Sequence, residues 1–262
     1  DMLIAMDAFR SGHNFSELRV FSTNSICPNQ LIDSLADAAP RLEQLSVEID
    51  LKGGAWRTTV SDMSRALQRL SELTDLDLCV HLSEDAGDGG TAPSAGFPTS
   101  ILRKLIQFEC YPERYLDQPD SRPVRELLNT LRTPALRTFR VDFIDVAINF
   151  CNANSSIVNL ELSAIDIPEL GAFTVLRNVE KLRFRQALNG PDGSPVLCSL
   201  SCTPQLKEVY IVCEEDFVND VLANLINSRR SVRFRLEVYM TLDAQDPPPP
   251  ECQQLRAKCP GA

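Results

Sequence analysis

Basic side chains recur at alternate positions in the second half of the chain: Lys181, Arg183 and Arg185, then Arg233 and Arg235, with Arg140 ahead of them and Tyr210 between. Two-residue spacing brings side chains to one face of an extended strand. A guanidinium fork on such a face pairs bidentately with a carboxylate or a phosphate. The chemistry within reach is therefore capture of an acidic or phosphorylated segment of another protein; the plain alternative is a solvated face carrying ordinary solubilising charge. Glu48, Asp75 and Asp77 make the earlier part of the same face acidic. Phe21, Ile106 and Phe108 are assigned to that face too, as apolar anchors, since aromatic residues dominate interface energies, or else as side chains covered by their neighbours.

Catalytic chemistry finds little to work with. The two histidines, His13 and His81, are far apart and neither adjoins a nucleophile motif. No Gly-x-Ser-x-Gly, phosphate-binding loop or His-Glu-x-x-His occurs. Asp75 and Asp77, placed on an open face, are expected to be hydrated and to lack the raised pKa that acid–base work needs. The chain reads as no enzyme, with no cofactor. The nine cysteines are an odd number without a compact disulfide pattern. They read as free thiols behaving as small hydrophobes, which favours a reducing, cytoplasmic or nuclear location. Cys198/Cys202 and Cys252/Cys259 form no Cys-x-x-Cys and have no histidine nearby, so no metal is expected.

Counting 26 basic against 36 acidic side chains leaves −10, a field that repels polyphosphate and argues against a nucleic-acid partner. No apolar run is long enough to span a bilayer, so no membrane partner is expected, and the first ten residues do not resemble a signal peptide. Hydrophobic content of 44% with 24% charge is that of a folded chain with a substantial core. Two glycosylation triplets, Asn14-Phe-Ser16 and Asn154-Ser-Ser156, keep a secreted receptor as a third reading, to be raised by glycan or disulfides.

The elements that position these residues follow from one pattern, apolar-x-x-apolar-x-apolar. Its copies are Phe15/Leu18/Val20, Leu42/Leu45/Val47, Leu73/Leu76/Leu78, Leu102/Leu105 with Gln107 in the third place, Leu136/Phe139/Val141, Ile157/Leu160/Leu162, Val179/Leu182/Phe184, Leu206/Val209/Ile211 and a weaker Phe234/Leu236. The alternation predicts short strands buried on one side. Between them, Leu31/Leu35/Ala39, Met63/Ala66/Leu67/Leu70, Val124/Leu127/Leu128/Leu131 and Phe217/Val218/Val221/Leu222/Leu225/Ile226 have helical spacing. Strand then helix, repeated at roughly 21 to 34 residues, predicts an α/β solenoid: right-handed, with a parallel concave sheet and irregular convex helices. Pro40, Pro134 and Pro204 stop each preceding helix. Residues 1–245 read as one domain of about eight or nine irregular repeats. Segment 84–98, rich in Gly, Asp, Ser and Pro, reads as a mobile insert, and 246–262 as a proline-rich spacer with a short tail.

This strand core resembles a leucine-rich repeat array over most of the chain. The asparagine that usually follows the core is replaced in places, by Ile165 in LELSAIDI and by His81 in LDLCVHL, which implies a looser stack. Long irregular units and phrases such as APRLEQLSVEI, TPALRTFRVDF and TPQLKEVYIVC resemble the repeat arm of fungal F-box-type proteins. In that family the arm holds the protein to be ubiquitylated and an N-terminal F-box docks onto the cullin-ligase adaptor. No F-box is visible in this chain; either one precedes Asp1 or the protein has none. The resemblance thus implies a non-catalytic substrate-recognition arm of a ubiquitin ligase component, bound to the adaptor only if an F-box lies upstream. The alternative is a freestanding scaffold.

Overall fold

The structure is a computed structural model that describes residues 15–52, 55–82, 97–112, 121–142, 144–162, 176–184, 205–214 and 233–239. Arg185, the predicted helix over 217–226, most of the 84–98 insert, Pro204, Cys198, Cys202 and everything from residue 240 onward lie outside them. Within them the chain is α/β, with a parallel sheet of nine strands that does not close on itself.

The strands of that sheet are β1 (Val20–Ile26), β2 (Gln44–Asp50), β3 (Asp75–His81), β5 (Gln107–Pro112), β7 (Thr138–Val141), β8 (Asn159–Leu162), β9 (Lys181–Phe184), β10 (Glu208–Glu214) and β11 (Arg233–Tyr239), in that spatial order. Spatial order is thus chain order, and every pairing is parallel. A separate two-stranded sheet joins β4 (Ser100–Ile101) to β6 (Leu131–Arg132), also in parallel. The helices are α1 (Asn29–Ala38), α2 (Trp56–Arg69), α3 (Arg122–Asn129) and α4 (Ile144–Ala153).

Three helices follow from the apolar spacing in the sequence. Leu31, Ile32, Leu35 and Ala36 are the buried face of α1; Val60, Met63, Ala66 and Leu67 that of α2; Val124, Leu127 and Leu128 that of α3. None of these three has a side-chain N-cap, so burial of one face, rather than capping, holds them in place. Pro40 stands just past α1, in a turn leading to Leu42, and Pro134 stands between β6 and β7. Helix α4 escaped the sequence reading although Val146, Ala147, Phe150 and Cys151 carry three-four spacing and are buried.

Entry into each strand is uniform. The carbonyl oxygen just before one strand accepts two amide protons from the start of the next unit: Arg19 from Glu43 and Gln44, Glu43 from Thr74 and Asp75, Thr74 from Ile106 and Gln107, Ile106 from Arg137 and Thr138. Arg137, Val158 and Glu180 repeat the arrangement further along. These rungs satisfy backbone groups that would otherwise be buried unpaired, and they hold one register from β2 to β11, while the β1–β2 pairing shifts after Ser22.

That register corrects two assignments. Phe108 pairs with Leu76 and Phe139, so the inward residues of the fourth unit are Leu105, Phe108 and Cys110, three positions later than the Leu102/Leu105/Gln107 reading. Phe108 is fully buried, its ring 5.5 Å from Phe139 and 6.1 Å from Phe150, and is no exposed anchor. In the first unit Phe21 pairs with Leu45 and packs against the core, while Val20 is 53% exposed. The physical reason is shared: Leu102 and Phe15 continue the three-residue apolar spacing backward from the strand, as Leu70 does before Leu73, so the pattern alone allows a start three residues too early. Ile106 does stay exposed, at 51%.

Candidate functional site

Because inward and outward residues alternate and the strands keep register, the outward side chains of successive strands form rows across the sheet. One row runs Gln44, Asp75, Gln107, Thr138, Asn159, Lys181, Glu208, Arg233; a second runs Ser46, Asp77, Glu109, Arg140, Glu161, Arg183, Tyr210, Arg235. The structure brings Lys181, Arg183, Tyr210, Arg233 and Arg235 together on three adjacent strands, as their spacing predicts. Arg140 lies two strands away from Arg183, beyond β8. Tyr210 is half-buried and the four cations around it are exposed.

The acidic partners of these cations went unrecognised in the sequence, because they lie 22 to 31 residues away and only the register aligns them. Arg140 Nη1 donates to Glu109 Oε2 at 2.6 Å, Lys181 Nζ lies 3.2 Å from Glu208 Oε2, and Arg183 Nε lies 4.0 Å from Glu161 Oε1. The Arg140 and Glu109 side chains are each 21% exposed; Lys181 and Glu208 are open to solvent, where an ion pair contributes little. Two arginines flank the Tyr210 ring from the neighbouring strands, Arg183 with its guanidinium carbon 4.5 Å and Arg235 with its own 5.4 Å from the centroid. Such cation–π contacts hold both guanidinium groups over the face of the ring. A cleft of about 410 Å³ opens here, lined among others by Thr138, Asn159, Lys181, Arg183, Tyr210 and Arg235.

At the other end the face is acidic and partly sequestered. Asp77 is half-buried, accepts a hydrogen bond from Ser46 Oγ at 3.0 Å, and has its pKa raised above the ordinary 3.8, chiefly by burial and then by the charge of Glu109 against the hydrogen bonds it accepts. The expectation of a hydrated, unshifted Asp77 is therefore corrected: the rows of neighbouring side chains on β2 and β5 take it out of water. Beside it the Tyr111 hydroxyl is pushed up to about 12 by burial and by Asp77, and Arg140 stands 5.3 Å above its ring. Tyr111 was missed through the same three-residue slip that misplaced Phe108. His81 is 5% exposed, with Nε2 3.1 Å from Glu48 Oε2.

Four cysteines, Cys27, Cys79, Cys110 and Cys151, are free thiols, and burial raises Cys27 and Cys151 to about 12. Among the described residues no group of three or more His, Cys, Asp or Glu side chains is arranged to hold a metal ion, and no helix is long and apolar enough to cross a membrane. Asn154 is 4% exposed: its Oδ1 accepts from the Thr133 amide at 3.0 Å and hydroxyl at 2.9 Å, and its Nδ2 donates to the Phe150 carbonyl at 2.9 Å. A glycan could not be carried there without unmaking that corner of the core. No protein-family model and no curated protein matches the chain.

Proposed function

We propose that this chain is a non-catalytic protein-binding arm, a right-handed leucine-rich-repeat solenoid whose concave sheet face receives another protein. We further propose that it serves as the substrate-recognition arm of an F-box-type ubiquitin ligase component. The observation that carries the binding reading is the unbroken in-register sheet: eight aligned strands present two continuous rows of polar side chains. An array of this kind spreads recognition over many units instead of one pocket. The ligase link rests on the resemblance of APRLEQLSVEI and its sister phrases to F-box-type arms.

The test is affinity purification of the full-length gene product under native conditions, with quantification of the cullin-ligase adaptor. Stoichiometric adaptor, together with a bound protein whose capture is lost on Arg183→Glu/Arg235→Glu, supports the proposal. Capture of that protein with no adaptor reduces the role to a freestanding scaffold. Indifference of capture to any substitution along the two rows removes the binding reading itself.

A further inference from the structure

Resting on the protein-binding reading above, we propose that the cleft spanning β8 to β11 takes an extended acidic segment whose carboxylates alternate along its chain, one against Arg183 and the next against Arg235, with the backbone of the residue between them over Tyr210. The segment lies across the strands. Arg183, Tyr210 and Arg235 are register neighbours on three adjacent strands, so the cations are separated by the ring and not clustered. Their guanidinium carbons, 4.5 and 5.4 Å from the ring centroid, are at most about 10 Å apart, while alternate side chains of an extended peptide are ~6.6 Å apart at the backbone and reach further through their own length. Acidic-x-acidic spacing fits that separation.

The choice of carboxylate over phosphate follows from how the charge is distributed. A phosphate monoester concentrates nearly two charges on three oxygens and binds best where several cations converge. Here Lys181 already faces Glu208, Glu161 lies 4.0 Å from Arg183, and the two guanidinium groups at the ring come from different strands, Arg183 from β9 and Arg235 from β11. Among the described residues the two guanidinium groups nearest the ring approach it from neighbouring strands instead of converging on one point. Singly charged groups spaced along a chain match it strand by strand. Availability agrees: the Arg183–Glu161 contact engages Nε, and among the described residues no acceptor sits on the Nη groups of Arg183 and no carboxylate pairs with Arg233 or Arg235. Glu48, Asp75 and Asp77 on β2 and β3 repel the same segment, which confines it to the β8 to β11 end.

The experiment is fluorescence anisotropy with the full chain and three short labelled peptides: alternating glutamate and alanine, the same with glutamine for glutamate, and one with a single phosphoserine among alanines. Salt-sensitive binding of the glutamate peptide is expected, weakened about tenfold or more by Arg183→Gln/Arg235→Gln and left intact or strengthened by Asp75→Lys. Both altered arginines are exposed, and an unchanged circular dichroism spectrum verifies the fold of each variant. The proposal is overturned if the glutamine peptide binds equally, if only the phosphoserine peptide binds, or if the double substitution has no effect. Loss of glutamate-peptide binding while the native partner protein is still captured through the two rows sinks this inference alone; loss of both sinks the binding reading as well.

Discussion

Arg140 of β7 and Glu109 of β5 share a hydrogen bond of 2.6 Å with both side chains four-fifths covered, and the same guanidinium lies 5.3 Å from the centre of the Tyr111 ring. This pair ties the acidic end of the sheet face to the basic end. Coverage separates it from exposed pairs such as Lys181–Glu208, because desolvated partners attract more strongly and leave a costlier orphan when one is removed.

Replacing Arg140 with alanine is therefore expected to destabilise the fold by about 1 to 3 kcal/mol, since Glu109 keeps a largely covered charge without its cation, with the Gln107 amide still donating to it. Lys181→Ala should fall within about 0.5 kcal/mol of the parent. Urea unfolding of both variants decides it; equal midpoints for the two would show that the Arg140 contact contributes nothing special.

Phe108 and Gln107 are neighbours in sequence with opposite fates, one fully buried and the other exposed. Phe108→Ala should cost about 3 to 5 kcal/mol through lost burial and a residual cavity beside Phe139 and Phe150. Gln107→Ala should cost under about 0.5 kcal/mol. A thermal melt in which Gln107→Ala is the more damaging change would mean that the strand is shifted by one residue.

Asp77 has a pKa in the folded chain above its unfolded value, so the folded state holds its proton more tightly. Stability contributed through this group is then present at low pH and lost as pH rises through the shifted value. For Asp77→Asn this means little difference from the parent at or below the ordinary carboxylate pKa, and a relative advantage that grows as pH rises above it and levels off beyond the shifted value. Denaturant midpoints of the two proteins across that range are the check, and parallel profiles would refute the shift.

Asn154 accepts from the Thr133 amide and hydroxyl and is almost wholly buried. Asn154→Ala leaves the Thr133 amide buried without an acceptor and should cost about 1 to 3 kcal/mol. If the protein is expressed in a secreting host, mass spectrometry should find no glycan at Asn154, whatever happens at Asn14.

The local pattern was sufficient for much of this. Alternating apolar residues at Leu76/Leu78, Leu160/Leu162 and Leu182/Phe184 specify which way each strand faces, because side chains of a strand have a fixed period of two, and the three-four spacing of Met63, Ala66 and Leu67 specifies a helix face in the same way. The parallel α/β architecture and the grouping of Lys181, Arg183, Tyr210 and Arg235 on one face follow from those local periods alone. What required the assembled sheet was register. Whether Leu105 or Phe108 begins the strand core depends on which residue meets Leu76 across the ladder, and a three-residue apolar spacing that continues upstream of the strand leaves that open. The same is true of partners: nothing near Arg140 in sequence points to Glu109, and nothing near Asp77 predicts its half-burial. Ion pairing and desolvation depend on distances between atoms, and those distances are set only when separate units stack and their backbone rungs lock.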